Sequence, residues 1–326
     1  MKYLKLFDEH TDYMSYKNNP AQFVTPNVSY CILEDEMHYN KSSEQRVVAT
    51  INVTTTSSPT QIVGRDGPNS YLTDDWSKIE IDGVELDTVP GEYQFTTTGE
   101  HIVKYTRIND SWDAIEFMNF ENLVSVKCPG WCTYGVWCTG CTSLTTVEMS
   151  DGPTSIADSA FEGCTSLTSV VMPNSVARIN KKGFKGCSSL QSITLPNNMI
   201  TIDDEAFEGC TSLTEIAIPS SITKIGRAAF MGCTSLSGTV ELPSTLTSIG
   251  DFAFQNAPLT SVICYASTPP TIDIDGQETQ LTIIHVFGSS GALIAYPILV
   301  PSSVIGTYKS ASLWEKYQSR IAAITE

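Results

Sequence analysis

Four cysteines that stand close together are the residues of this sequence best placed to do chemistry. Cys128, Cys132, Cys138 and Cys141 are separated by three, five and two residues. Thiolates at such spacings can hold a tetrahedral zinc ion or pair as a disulfide. Cys138 and Cys141 also belong to a repeating pattern that gives each of them a packing role without a metal. We therefore predict no metal here, and a local disulfide and free thiols stay open as alternatives.

The histidines and nucleophile motifs predict no catalytic site. His10, His38, His101 and His285 are scattered along the chain, and none stands in the His-Glu-x-x-His pattern of zinc peptidases. The sequence has neither a Gly-x-Ser-x-Gly elbow nor a glycine-rich phosphate loop. We therefore expect a protein that is not an enzyme and that carries no cofactor.

A repeat dominates the centre of the chain. The motif Gly-Cys-x-Ser-Leu begins at five glycines that are 23 residues apart: Gly140, Gly163, Gly186, Gly209 and Gly232. A unit of this length lies in the range of leucine-rich repeats, in which each coil adds a short strand and a return segment. A single coil cannot bury enough apolar surface to stand alone. The pattern therefore predicts a solenoid whose stacked surface is the place to look for binding.

Each coil reads as a strand, a turn and a return segment. The spacing Leu-x-x-Val-x-Met, as at Leu167, Val170 and Met172, ends in strand-like alternation. A proline then ends the strand, and apolar residues such as Val176 and Ile179 line the return side. The repeated cysteines are expected to be small buried thiols, because equivalent residues of parallel strands lie too far apart for a disulfide. A stack of aromatic rings is predicted from one column: Phe161, Phe184, Phe207, Phe230 and Phe254.

The register of the repeat changes near its C-terminal end. Ser237-Gly238-Thr239 adds one residue, and residues 255–259 lack the Gly-Cys pair and one further residue. At the other end, Cys138 stands where later coils have phenylalanine. Four regular coils with an imperfect coil on each side are therefore predicted.

The Ala-Phe-x-Gly-Cys-x-Ser-Leu columns and the Pro-x-x-Val-x-x-Ile return resemble the BspA-like leucine-rich repeats of bacterial surface proteins. The resemblance covers roughly Leu123 to Val262 and is of the type found in Bacteroidetes or their phages. It implies a leucine-rich repeat fold and a role in adhesion to host proteins or other cells. It identifies no ligand.

Two segments are expected before the array. Residues 1–42 are interpreted, by analogy, as an attachment or assembly module with a strand at residues 3–7, a short helix and a hairpin. Residues 43–120 alternate in strand fashion and include an Asp82-Gly83 turn between two apolar runs. We predict a small antiparallel domain of immunoglobulin-like type there.

The array itself is assigned to residues 121–265, and residues 266–326 are expected to close it as a cap. Within the cap, a strand should stop at Pro301 and Ser302 or Ser303 should cap a helix. Helical spacing is predicted for four apolar residues: Trp314, Tyr317, Ile321 and Ile324. The expected fold class is mixed and β-rich: a leucine-rich repeat solenoid preceded by small antiparallel β modules and closed by a C-terminal helical cap.

The charge and hydropathy of the chain limit the classes of partner and the cellular locations that we expect. A formal net charge of −17, with only 19 lysines and arginines, argues against nucleic acid, which needs clustered basic residues. No run approaches the roughly 18 apolar residues of a membrane span, and Asp8 and Glu9 follow Met1–Phe7 before any apolar stretch. We therefore expect no membrane insertion and no Sec signal, and a location at the cell surface or on a virion. The acidic run Asp203-Asp204-Glu205 is expected to face water.

Outward positions on the strand side of each coil are the expected ligand-binding face. They are small and polar and lack the large anchors that usually carry affinity. The predicted face comprises twelve residues: Thr145, Thr146, Glu148, Thr168, Ser169, Val171, Gln191, Ser192, Thr194, Thr214, Glu215 and Ala217. The partner is expected to be a host or bacterial surface protein or a glycan. The alternative function is a structural or receptor-binding component of a phage or prophage virion, which we would expect to be an oligomer.

Overall fold

A computed structural model of the chain describes residues 47–61, 65–67, 70–71, 76–88, 90–107, 114–128, 135–274, 286–289, 292–293 and 296–324. They belong to one compact unit, which spans residues 46–326. The strand, helix and hairpin predicted within residues 1–42 lie outside the described residues and stay predictions.

Short strands before the array build a mainly antiparallel module, and the last of them pairs in parallel with residues 135–137. The strands are β1 (Val47–Val53), β2 (Thr60–Gln61), β3 (Arg65–Gly67), β4 (Ser70–Tyr71), β5 (Trp76–Ile81), β6 (Val84–Glu85), β7 (Glu92–Tyr93), β8 (Gly99–Arg107) and β9 (Ala114–Glu116). The predicted turn joins β5 to β6, where Asp82 and Gly83 have φ angles of +49° and +87°. Two positive φ values suit a tight hairpin turn, which explains the Asp-Gly pair.

The array follows as a series of short parallel strands. They are β10 (Leu123–Cys128), β11 (Gly135–Trp137), β12 (Thr146–Met149), β13 (Ser155–Ile156), β14 (Ser169–Val171), β15 (Arg178–Ile179), β16 (Thr201–Ile202), β17 (Lys224–Ile225), β18 (Gly238–Leu242), β19 (Ser248–Gly250), β20 (Phe254–Gln255), β21 (Leu259–Cys264) and β22 (Thr271–Asp273). On the return side, six of them form a parallel sheet in the order β13-β15-β16-β17-β19-β22.

One sheet joins the antiparallel module to the array. Its seven strands run in the order β14-β12-β10-β1-β8-β5-β6. Strand β1 pairs antiparallel with both β8 and β10, whereas β10, β12 and β14 pair in parallel. Strand β1 therefore covers the edge that the first coil would otherwise expose to other chains. The pairing crosses the boundary assigned at residue 120, and that boundary and the immunoglobulin-like type of residues 43–120 stay predictions.

The predicted strand does not form in every coil. Strands β12, β14, β18 and β21 occupy the expected Leu-x-x-Val-x-Met positions, but residues 190–195 and 213–218 form no strand. We call the coils that contain these two segments the middle coils. Their backbone hydrogen bonds to neighbouring coils lie mainly at the phenylalanine turn and in the return segment. One example is the bond from Phe184 N to Ala206 O at 2.7 Å. The phenylalanine turn and the return segment therefore keep the strand side of these coils in place. The prediction of a regular strand in these two coils is wrong.

The predicted aromatic stack is confirmed and runs further than expected. Its five rings lie nearly parallel, with centroids 5.1–5.3 Å apart. Phe287 adds a sixth ring at 5.8 Å from Phe254, across the long connection after β22. The column of rings therefore continues beyond residue 265, where the array was predicted to end. The domain boundary at residue 265 stays a prediction.

The C-terminal segment closes the array as predicted but with less helix. It comprises β23 (Phe287–Ser289), β24 (Ala292–Leu293), β25 (Ile298–Val300), a 3-10 helix (Ser302–Val304), α1 (Ile305–Ser310), a second 3-10 helix (Trp314–Tyr317) and β26 (Ile321–Ala323). The predicted serine caps are wrong, because neither helix start has a side-chain cap. The helical spacing from Trp314 to Ile324 is also wrong, because Ile321 begins a strand that pairs in parallel with β25.

Buried aromatic residues attach this cap to the last coils. The indole nitrogen of Trp314 donates to Pro270 O at 2.7 Å, and the hydroxyl of Tyr308 donates to Ala266 O at 2.9 Å. Trp314 and Tyr317 also pack against the Phe287 ring. These residues end the aromatic stack, so the predicted core role of the cap aromatics is confirmed.

Candidate ligand-binding face

The outward residues of the strand side form what we call the outer face. Cross-strand pairing aligns Thr146 with Ser169 and Glu148 with Val171. The same alternation passes through Lys127 on β10 and, in the four-stranded sheet β18-β21-β25-β26, through Glu241 and its partner Ile263. The outer face therefore spans both sheets and the two middle coils between them.

Eleven of the twelve predicted site residues are exposed on this face, and Thr145 is half-buried. Val171 is among the most exposed large apolar side chains of the described residues, at 55%. Thr194 holds the equivalent position one coil later, and Ser169 and Ser192 hold the preceding outward position of the two coils. The structure thus places the predicted residues on one surface, and their role in binding stays a prediction.

Three threonines of the predicted set help to hold the coils together. The hydroxyls of Thr145, Thr168 and Thr214 donate to the carbonyl oxygens of Val124, Thr145 and Gln191 at 2.9, 3.1 and 3.2 Å. Each bond joins one coil to the coil before it. Because their protons are engaged, these hydroxyls can only accept hydrogen bonds from a ligand.

The outer face is less tightly packed at the two middle coils, a region that we call the seam. Inward residues of the coils at and beside the seam, Val170, Ile193 and Ile216, are 9%, 8% and 8% exposed. Their equivalents in laddered coils, Val147 and Val240, are only 1% and 2% exposed. The strand side is therefore slightly more open from Val170, on the edge strand of the seven-stranded sheet, through the two middle coils than it is at Val147 and Val240.

The N-terminal end of the outer face carries a neutralised pair of charges. Lys127 Nζ lies 2.8 Å from Glu148 Oε1, and both side chains are more than half exposed. A solvent-exposed pair of this kind contributes little to stability. It does mask one carboxylate of the predicted face.

The outer face extends beyond the predicted residues. Ile263, Leu299 and the exposed Tyr265 continue it at the C-terminal end. The signal was present in the sequence, because Leu259-x-x-Val262-x-Cys264 keeps the spacing of the earlier strands. It was missed because the Gly-Cys pair that marks each coil is absent there.

A comparison with protein families identifies the repeat. The family of BspA-type leucine-rich repeat regions matches residues 92–210 and 154–269, with six copies. Together these matches cover more than half of the chain. The chain belongs to the BspA-type leucine-rich repeat family. Repeats of this family are in general protein-binding modules and not catalytic ones.

Solved structures of leucine-rich repeat proteins resemble parts of the chain. A Treponema pallidum leucine-rich repeat protein is 25% identical, over 63% of this chain and 86% of its own, with a TM-score of 0.39. A leucine-rich cell surface protein of Faecalibacterium prausnitzii is 20% identical over 52% and 65%, with a TM-score of 0.35. A Bacteroides ovatus leucine-rich repeat protein is 18% identical over 68% and 71%, with a TM-score of 0.29. No curated protein matches the sequence.

The five thiols of the Gly-Cys motif form no disulfide, and all cysteines that the structure describes are buried. Cys128, Cys138 and Cys141 are among them, whereas Cys132 lies outside the described residues. Burial raises the pKa of the Cys138 thiol, and the nearby Cys141 raises it further. Across the described residues, no group of three or more His, Cys, Asp or Glu side chains is arranged to hold a metal ion.

The acidic run of the third full coil is paired with basic residues of its neighbours. Glu205 Oε2 lies 2.6 Å from Lys185 Nζ, and Asp203 Oδ1 lies 3.3 Å from Lys224 Nζ. The expectation that this run simply faces water is therefore wrong. Its carboxylates therefore connect adjacent coils.

In the part of the chain that the structure describes, no helix is both long and apolar enough to cross a bilayer.

Proposed function

We propose that this chain is a non-enzymatic adhesion protein that recognises a protein, matrix or glycan ligand through its outer face. The observation that carries the proposal is the continuity of that face from the seven-stranded sheet to the four-stranded sheet. A flat stack of coils presents more contact area than any one coil, which is how repeat proteins generally bind.

The chemistry of the face supports a broad contact rather than a small-molecule pocket. Thr146, Ser169, Ser192 and Thr194 are exposed, and their short side chains let a partner approach closely. The BspA-type family favours a protein partner. Residues 1–42 as an attachment module, the cell-surface location and the virion alternative remain predictions, and no described residue favours the virion role.

The test is retention of the purified chain on immobilised matrix proteins, a glycan array and fixed host or bacterial cells. The variant Ser169→Arg/Ser192→Arg places two bulky charges on the outer face. Ser155→Arg/Ser248→Arg makes the same changes on the return sheet, at serines that are half-buried, and it serves as the control once thermal unfolding verifies that the variant is folded. We expect the face variant to lose at least tenfold in retention and the control to retain binding.

Two results would contradict the proposal. One is that no surface retains the chain above a repeat-scrambled protein. The other is that the face variant and the return-sheet control lose binding equally, since that would place recognition elsewhere or reflect a general effect of added positive charge.

A further inference from the structure

The C-terminal end of the outer face differs in character from the rest. Ile263 on β21 pairs with Glu241 on β18 and with Leu299 on β25. Ala322 of β26 completes this column. In the first coils of this column Glu148 stands beside Val171, whereas this end presents three successive aliphatic side chains next to Glu241.

Tyr265 and Glu241 meet on this part of the face. The Tyr265 side chain is 41% exposed, and its hydroxyl donates to Glu241 Oε2 at 3.3 Å. The backbone N–H of Tyr265 donates to Leu242 O at 3.0 Å, which extends the β18–β21 pairing by one residue. The ring is thus fixed at the end of a strand pair and stands beside the carboxylate.

Glu241 has no cation of its own among the described residues. None of the ion pairs between described residues includes it. The basic residue at the other end of its column, Lys127, already pairs with Glu148. Arg320 immediately precedes β26, three strands away from β18, which corresponds to roughly 14 Å. The site therefore has an unneutralised carboxylate beside an exposed aromatic ring.

We propose that Glu241 and Tyr265 form an anchor for an arginine side chain of a protein ligand. This inference deepens the proposed function and rests on it. A planar guanidinium pairs with a carboxylate through two hydrogen bonds and stacks on an aromatic face. Ile263 and Leu299 supply apolar surface for the arginine stem. Tyrosine and arginine are the residue types that most often carry binding energy at protein interfaces.

The direct test uses N-acetyl-arginine amide and, as a neutral matched probe, N-acetyl-citrulline amide. Binding is followed by NMR of the full chain with labelled tyrosine rings, with Tyr265→Phe identifying the Tyr265 signal. We expect the arginine probe to shift that signal in a saturable way, with a millimolar Kd, and the citrulline probe to shift it at least tenfold less.

Two glutamate variants provide the comparison. Glu241→Gln keeps the side-chain shape and removes the charge, and we expect it to weaken arginine binding at least tenfold. Glu121→Gln makes the same change at an exposed glutamate that precedes β10 and lies outside the predicted face, and it should leave binding unchanged. Equal shifts with both probes, or equal loss in both variants, would overturn the proposal, since either would reflect the overall negative charge alone.

The inference and the proposed function fail in different ways. If Ser169→Arg/Ser192→Arg abolishes retention on the ligand surface while Glu241→Gln and Tyr265→Ala retain it fully, the outer face binds and the arginine anchor is wrong. If Glu241→Gln and Tyr265→Ala each reduce retention at least fivefold, as we expect, the anchor is supported.

Discussion

The thiol of Cys187 donates a hydrogen bond to the carbonyl oxygen of Phe161, 26 residues earlier, with 3.1 Å between sulfur and oxygen. The relation repeats one coil later, where Cys210 donates to Phe184 O at 3.1 Å. Each thiol therefore ties its own coil to the preceding phenylalanine turn. Cysteine suits this column because it is small enough to be buried and still carries a weak donor.

These thiols should resist alkylation in the folded protein. Burial raises the pKa of the Cys187 thiol far above its usual value and that of Cys233 to about 12, and only the thiolate reacts readily. We expect iodoacetamide at pH 8 to leave the cysteines of the Gly-Cys motif unmodified. Mass spectrometry of tryptic peptides measures this.

Unfolding in guanidinium is the control for that experiment, since all of these cysteines should then be alkylated within the same time. Rapid modification of Cys187 in the native chain would contradict the buried thiol column.

Much of the array was predictable because its period is strict. The 23-residue spacing placed Phe161, Phe184 and Phe207 in one column, and the rings do stack. Column membership follows from sequence alone because each coil repeats the backbone path of the previous one. The unpaired strand side at residues 190–195 was not predictable, because its sequence alternates just as that of the laddered coils does.

The end of the array and the contact between Glu241 and Tyr265 were harder to predict. Phe287 joins the ring stack only after a long connection breaks the period. The contact between Tyr265 and Glu241 depends on the pairing of β18 with β21, whose register shifts next to Gly238. The sequence showed the inserted residue at this point but not which side chains it would bring together.

Removing one ring should weaken the stack severely. The Phe207 ring lies 5.3 Å from both Phe184 and Phe230, and it is fully buried. We expect Phe207→Ala to cost about 3–5 kcal/mol of unfolding free energy, because it leaves a cavity in the middle of the column. Phe207→Leu should cost roughly 1–2 kcal/mol.

Urea unfolding followed by circular dichroism measures both variants. Because coils contact mainly their neighbours, the alanine variant should also broaden or split the transition. Equal and small losses for the two variants would show that the ring stack is not a main source of stability.

Gly226 should tolerate no side chain. It packs so closely against the previous coil that an added Cβ would overlap the backbone nitrogen of Asp204. Because the obstructing atoms are backbone, we expect Gly226→Ala to destabilise the protein by about 1–3 kcal/mol or more. Gly306 in α1 has open space around it, so Gly306→Ala should be neutral or stabilise by up to about 1 kcal/mol. Thermal unfolding of both variants compares them, and a neutral Gly226→Ala would contradict the observed coil spacing.

The pairing of Glu205 predicts how the array responds to acid. Partial burial raises the pKa of Glu205, but the hydrogen bond from Lys185 and the charges of Lys185 and Lys182 outweigh it and lower the pKa below its ordinary value of 4.5. A lowered pKa means that the folded state favours the ionised carboxylate, so this contribution is complete above about pH 4.5 and is lost as the pH falls through the lower folded value. We expect the unfolding free energy of the native chain to fall more steeply below pH 4.5 than that of Glu205→Gln. The difference between the two at pH 7 should be less than about 1 kcal/mol, since the pair is partly exposed. Urea unfolding from pH 7 to pH 3 measures both curves, with Glu148→Gln as the control on the more exposed pair, and parallel curves for the native chain and Glu205→Gln would show that this carboxylate does not link the coils.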